Sequence, residues 1–214
     1  MIKLCVFDMD GTLVDSIADI AAAMNHILSL KGYPTHPSRD YRLMVGAGMK
    51  VLCQKALPEG SREEQEALYE AYYPYYAAHC CDRTRPFEGM EDTLSRLREA
   101  GVCCAILSNK PHEITACMAE IIFPPGSFAL VLGNDARFPR KPEPDALLYI
   151  IKELGFRPEE TAYVGDTKLD VQVAANAGTA CISCAWGLRT VEELREAGAS
   201  FLAYRPEDIA EWVL

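Results

Sequence analysis

The chain predicts an α/β protein: a parallel sheet covered on both faces by helices, with an all-helical module inserted after the first strand. Three observations predict it. From about residue 90 onward, helical and strand-like patterns alternate. The strand-like segments VCCAILSN, FALVLG, TAYVGD and TACISCAWG are continuous apolar runs, as expected of strands buried on both faces. Residues 16–84 carry helical periodicity and no strand pattern.

Each element follows in order. The opening segment KLCVFDMDGTLVDS is a short apolar strand ending on Asp8 and broken by Gly11 and Thr12. Asp15 and Ser16 can cap a helix, and IADIAAAMNHILSLKG keeps helical spacing until Gly32. YPTHPSRD is a proline-rich connection. YRLMVGAGMKVLCQKALPEG reads as two short helices around Gly46, Ala47 and Gly48. SREEQEALYEAYYPYYAAHCC reads as a longer helix kinked at Pro74, with Tyr69, Tyr72, Tyr73, Tyr75 and Tyr76 as packing residues. MEDTLSRLREAG, PHEITACMAEII, EPDALLYIIKELG and LDVQVAANAG are the helices between strands. VEELREAG and PEDIAEWVL close the chain, with SFLAY as an edge strand between them. The predicted division is a core of residues 1–15 and 85–214 and a helical insert of residues 16–84.

The chain has 214 residues, half of them hydrophobic, and a formal net charge of −10. That balance argues against duplex nucleic acid and anionic membranes, whose binding rests on basic patches. It leaves room for an anionic substrate held by a metal ion and a few lysines. Asp8 interrupts the first apolar run too soon for a signal peptide, and no run approaches the ~18 apolar residues of a membrane helix. A cytoplasmic protein is expected. Of nine cysteines, Cys5, Cys103, Cys104, Cys117, Cys181 and Cys184 lie in apolar surroundings and read as core residues. Cys181 and Cys184 form a C-x-x-C pair, but no second pair stands at zinc-ligand spacing.

In open α/β sheets, ligands bind outside the carboxyl ends of the strands. Asp8, Met9, Asp10, Gly11 and Thr12 follow the first strand; Ser108, Asn109 and Lys110 follow the second. Lys141 to Pro144 lie beyond the third; Asp166 and Thr167 follow the fourth, with Asp170 one helical turn on. Asp8 and Asp10 repel each other unless a cation or proton sits between them, which suggests a nucleophile and an acid/base sharing a magnesium site. Taken singly, these residues have ordinary readings. Asp8 would cap a turn, Asp10 make an Asx turn, Ser108 cap a helix, and Asp170 be a helix-surface acid.

Taken in order, DMDGTLVDS, SNKP, KPEP and GDTKLD resemble the four motifs of the haloacid dehalogenase-like hydrolase superfamily. Within it, the chain is similar to the phosphoglycolate phosphatase group, down to the closing WGLRTVEELREAGA. The resemblance implies a Rossmann-like core with a helical cap that closes over the site. It implies a Mg²⁺-dependent phosphatase acting on a small phosphorylated metabolite, phosphoglycolate first, through an aspartyl phosphate. Asp8 would be the nucleophile and Asp10 the general acid, then base. Asp8, the Met9 carbonyl and Asp166 would hold Mg²⁺, with Asp170 either binding it through water or holding Lys141. Gly11, Thr12, Ser108, Asn109 and Lys141 would bind phosphate. Gly46, Gly48 and Lys50 would set substrate choice, with Arg39 and Arg42 weaker candidates and Lys110 and Arg140 surface residues. The hinges would lie near residues 13–16 and 82–86. A β-phosphoglucomutase-like mutase and a pyrophosphatase are the alternatives on this fold. A non-catalytic regulatory protein would show damaged motifs, and none of Asp8, Asp10, Lys141 or Asp166 is missing. A monomer or homodimer is expected.

Overall fold

The structure is a computed structural model and describes residues 1–214. Its centre is β1 (Leu4–Phe7), four apolar residues with no solvent exposure. A two-residue ribbon, β2 (Val14–Asp15) and β3 (Arg85–Pro86), follows. The remaining strands are β4 (Cys103–Pro111), β5 (Leu130–Asn134), β6 (Thr161–Gly165), β7 (Ala180–Cys184) and β8 (Leu202–Ala203). Six of them form one parallel sheet in the order β5-β4-β1-β6-β7-β8. Chain order reverses direction at β1, with β4 on one side and β6 on the other. This is the switch point where α/β sheets open a crevice. Register places Phe7 beside Ile106 and Val164, so Asp8, Ser108 and Asp166 all leave the sheet at the same edge.

Between β2 and β3 run only helices: α1 (Ile17–Leu30), α2 (Tyr41–Met44), α3 (Met49–Ala56) and α4 (Arg62–His79), apart from one turn of 3₁₀ helix. The ribbon pairs Val14 with Pro86 and Asp15 with Arg85, which brings the two chain crossings together. Buried Asp19 reinforces the neck by accepting from the N–H groups of Arg83 and Thr84 and from the Thr84 hydroxyl. The α4 N-terminus is closed by a capping box between Ser61 and Glu64. The helix then continues through Pro74 as one element. Tertiary packing against α1 and α3 outweighs the loss of one N–H.

The flanking helices are α5 (Met90–Glu99), α6 (His112–Ile122), α7 (Asp145–Glu153), α8 (Lys168–Ala177), α9 (Val191–Glu196) and α10 (Glu207–Val213). Alternation along β1 sends Leu4 and Val6 into one core under α7 and α8, and Cys5 and Phe7 into the other. That second core runs on without a break into the inserted helices, through Met24, Leu52, Tyr72 and Tyr76. All nine cysteines are free thiols. No helix is long and apolar enough to cross a membrane.

Candidate active site

Residues from four loops converge at the carboxyl edge of β1, β4 and β6. Asp8, Ser108, Asn109, Lys141, Asp166 and Asp170 are all buried. At the centre stands Lys141. Its Nζ lies 3.0 Å from Asp8 Oδ2 and 2.6 Å from Asp170 Oδ1, and donates to Tyr163 Oη at 2.8 Å. Tyr163 in turn donates to the Leu107 carbonyl at 2.9 Å. All three ammonium protons are therefore engaged, and Lys141 serves the site as a fixed positive charge.

The acids are held with equal completeness. Asp8 Oδ1 accepts the Met9 N–H at 2.7 Å. Asp166 accepts from the Thr12 hydroxyl at 2.9 Å and the Leu188 N–H at 2.7 Å. Asp170 Oδ2 accepts the Thr167 N–H at 2.9 Å, its hydroxyl at 2.7 Å and the Asp166 N–H at 3.2 Å. Glycines make this density possible. A Cβ on Gly11 would stand 2.4 Å from Asp166 Oδ2, and one on Gly187 would stand 2.2 Å from the Asp166 Cβ.

Burial has electrostatic consequences. Desolvation pushes the Asp8 carboxyl up to about 6 despite the pull of Lys141. Burial also raises Asp166 well above the usual carboxylate range, and the charges of Asp170 and Asp8 add to it. For Lys141, burial opposes the charge, but Asp170 and Asp8 outweigh it and the ammonium is held above its ordinary range. Carboxylate oxygens of Asp8, Asp166 and Asp170 lie within 4.8 Å of one another. Three buried acids facing a single lysine leave net negative charge, which is the chemistry of a cation site.

The carbonyl of Met9 does not join this cluster. It accepts N–H groups from Thr12, Leu13 and Val14 and closes the turn after β1. The Asp10 carbonyl accepts none of these N–H groups. The expected division of labour also changes at Asn109. Its amide donates to the Gly46 and Lys141 carbonyls and accepts the Lys141 N–H, tying three loops together. Ser108 Oγ accepts only a long bond from the Lys110 N–H, at 3.4 Å, so its hydroxyl proton has no protein acceptor.

Asp10 is held by two residues whose roles the sequence concealed. Ser16 donates to Asp10 Oδ1 at 2.5 Å; the expected helix cap makes no side-chain cap bond and serves the acid instead. Lys110, read as a surface residue, is buried: its Nζ lies 3.1 Å from Asp10 Oδ1 and donates to Tyr76 Oη at 2.6 Å. The closing segment also contributes unexpectedly, through the Leu188 N–H on Asp166 and a Trp186 indole N–H donated to the Thr12 carbonyl. The Leu188 N–H is a backbone donor and leaves no side-chain signature; only the resemblance of WGLR to a family ending pointed there.

The loop at residues 46–48 sits over the crevice. Asn109 donates to the Gly46 carbonyl, Arg140 to that of Ala47 and Arg189 to that of Val45. Arg42 donates to the Gly187 carbonyl. Gly46 and Gly48 have positive φ, and a Cβ on Gly48 would stand 2.7 Å from the Arg140 guanidinium. Lys50 is not brought to the site. It is more than half exposed and lies 3.2 Å from Glu66, over the Tyr69 ring. Arg39 is exposed and pairs with its neighbour Asp40. Beneath the loop is a cavity of about 40 Å³, lined by Asp10, Ser108, Asn109 and Lys110 and by cap residues including Ile20, Met49, Leu52, Tyr72 and Tyr76.

A carboxylate fixed at a sheet edge, a second carboxylate held beside it by Ser16 and Lys110, a buried lysine and an acidic pocket meet in one crevice, as in hydrolases that act on charged esters. The sequence model of the haloacid dehalogenase-like hydrolases matches residues 5–184, and the chain belongs to that family. It is 34% identical over 190 residues to the phosphoglycolate phosphatase of Pseudomonas putida, covering 86% of this chain and 70% of that one. It is 31% identical over 209 residues to the phosphoglycolate phosphatase of Aquifex aeolicus, covering 98% and 95%. Among solved structures, a provisionally named phosphoglycolate phosphatase from Lactobacillus delbrueckii subsp. bulgaricus superposes with a TM-score of 0.95 at 32% identity, over 99% and 98% of the two chains. CbbY of Rhodobacter sphaeroides shares the fold, with a TM-score of 0.82 at 21% identity over 98% and 96%.

Proposed function

We propose that this phosphatase hydrolyses a small phosphorylated acid of the phosphoglycolate type, using Asp8 as nucleophile and Asp10 as acid and base. The chain is an enzyme, a phosphatase of its family. The observation that carries the assignment of roles is the meeting of Asp8, Asp10, Ser108, Lys141 and Asp166 at one sheet edge, from four separate loops.

The Asp8 carboxylate attacks phosphorus as the bond to the leaving oxygen breaks, and Asp10 delivers its proton to that oxygen. Asp10 then takes a proton from the water that attacks the aspartyl phosphate, and phosphate leaves with Asp8 restored. Ser16 and Lys110 fix Asp10 for both transfers. Ser108 has a hydroxyl proton free for a phosphoryl oxygen, and Lys141 supplies charge without moving. Gly11 and Thr12 shape the turn, with Thr12 orienting Asp166.

The donor set fits Mg²⁺, an oxygen-seeking cation: Asp8 and Asp166 would hold it, with the Asp10 carbonyl as the available backbone oxygen and Asp170 orienting Asp166 and Lys141. When bound, the cation neutralises negative charge on the phosphoryl group. Residues 16–84 act as the cap and residues 1–15 and 85–214 as the catalytic core. A metabolite in the cytoplasm is the expected substrate.

The choice of a small phosphorylated acid is supported by the relatives named phosphoglycolate phosphatase, and by the position of the cavity beside Asp10, beneath the 46–48 loop. The test is phosphate release with Mg²⁺ from phosphoglycolate, sugar phosphates, nucleotides and pyrophosphate. Phosphoglycolate should lead, and Asp8→Asn should lower its turnover by about 10³-fold or more with the fold retained. A folded Asp8→Asn protein with undiminished turnover would overturn the assignment.

A further inference from the structure

Tyr72 is the unexplained residue of this site. It lies on α4, is fully buried, and its hydroxyl has no hydrogen-bond partner. Only one other buried side-chain atom shares that condition, the Thr93 hydroxyl in α5, which lines no cavity beside the site. Tyr72 instead lines the cavity that Asp10, Ser108 and Lys110 also line. Its ring stacks on Tyr76 at 5.4 Å between centroids, which fixes its direction. A buried hydroxyl with no protein partner, on the wall of a cavity, is available to an acceptor that arrives from outside.

The chemistry of that partner can be read from the walls. On the polar side, Lys110, Ser108 and Tyr72 line the cavity with one acid, Asp10, which the Lys110 ammonium already faces at 3.1 Å. Ile20, Val45, Met49 and Leu52 line the other side with apolar surface. A donor without a protein partner, beside an ammonium and against apolar walls, favours an anionic acceptor. We propose that the Tyr72 hydroxyl, beside Lys110, receives the carboxylate of the substrate's leaving group, making α4 and not the segment around Lys50 the determinant of acid specificity. This rests on reading the site as a phosphatase of small phosphorylated acids.

Tyr72→Phe keeps the ring and its stacking and removes only the donor. With phosphoglycolate and ethyl phosphate as paired substrates, the variant should lose about tenfold in kcat/KM for phosphoglycolate, the weight of one hydrogen bond to a charged group. The loss for ethyl phosphate should stay under about threefold, and most of the phosphoglycolate loss should lie in KM. Because an unsatisfied group is removed, the melting temperature of the ligand-free variant should not fall. Equal losses for both esters, or no loss for phosphoglycolate, would overturn the proposal.

A binding measurement separates this proposal from the phosphatase reading. Sodium glycolate, on the order of 10 mM at constant ionic strength, should raise the melting temperature of the wild type and not of Tyr72→Phe, while ethylene glycol should raise neither. Equal glycolate shifts in both proteins, or none in the wild type, would refute the carboxylate site even where phosphate release is normal. A glycolate shift confined to the wild type would uphold it even if no ester on the panel were hydrolysed.

Discussion

The sheet edge and the cavity beneath the inserted helices face each other across Asp10, and they are finished to different degrees. At the edge, every polar atom of Lys141 and Asp170 has a partner. Across the crevice, Tyr72 has none, and the Ser108 proton has none. On the proposed reading, the edge performs a step common to all phosphate esters and is preorganised for it. The cavity then distinguishes one ester from another, and groups left open for a ligand are how a site gains discrimination.

Breaking the finished side should have the larger effect. Lys141→Met leaves Asp8 and Asp170 buried without their counter-charge. We expect a loss of about 3–5 kcal/mol in urea-unfolding stability together with loss of turnover. A variant as stable as the wild type would show that the edge is not held together by this lysine.

Removing the cation sharpens the same point. Burial raises Asp8 to about 6 and Asp166 well above its ordinary value, so the folded protein binds more protons than the unfolded chain above about pH 4. Stability conferred by those protons is present at low pH and is lost as pH rises through the folded-state values. A bound cation takes over the protons' role, so the gain in melting temperature on replacing chelator with Mg²⁺ should be larger at pH 8 than at pH 6. A larger gain at pH 6 would refute the acid cluster as the cation site.

The smallest effect belongs to Lys50. It is paired with Glu66 at the surface, so Lys50→Ala should change kcat/KM for phosphoglycolate by less than about twofold. A large loss would return acid recognition to the 46–50 segment and weaken the case for Tyr72.

Much of this was legible in the sequence, for physical reasons. Continuous apolar runs mark the strands, and the parallel-sheet rule puts Asp8, Ser108 and Asp166 at one edge, where the structure has them. Lys110 was illegible because its burial depends on Tyr76 and Asp10, distant in sequence, while its local setting before Pro111 looks like a loop. Ser16 was misread because a serine before a helix is ordinarily a cap, and only the fold brings Asp10 within reach. Lys50 could have been placed correctly. Met49, Leu52, Cys53 and Ala56 form the buried stripe of α3, and that periodicity puts residue 50 on the opposite face.

The clasp over the crevice also decides what holds it shut. Arg189, Asn109 and Arg140 donate to the carbonyls of Val45, Gly46 and Ala47, three consecutive residues of the inserted module. All three donors belong to the core, so any opening of that loop breaks bonds that the core itself supplies, and the strength of this grip sets how readily the crevice admits an ester.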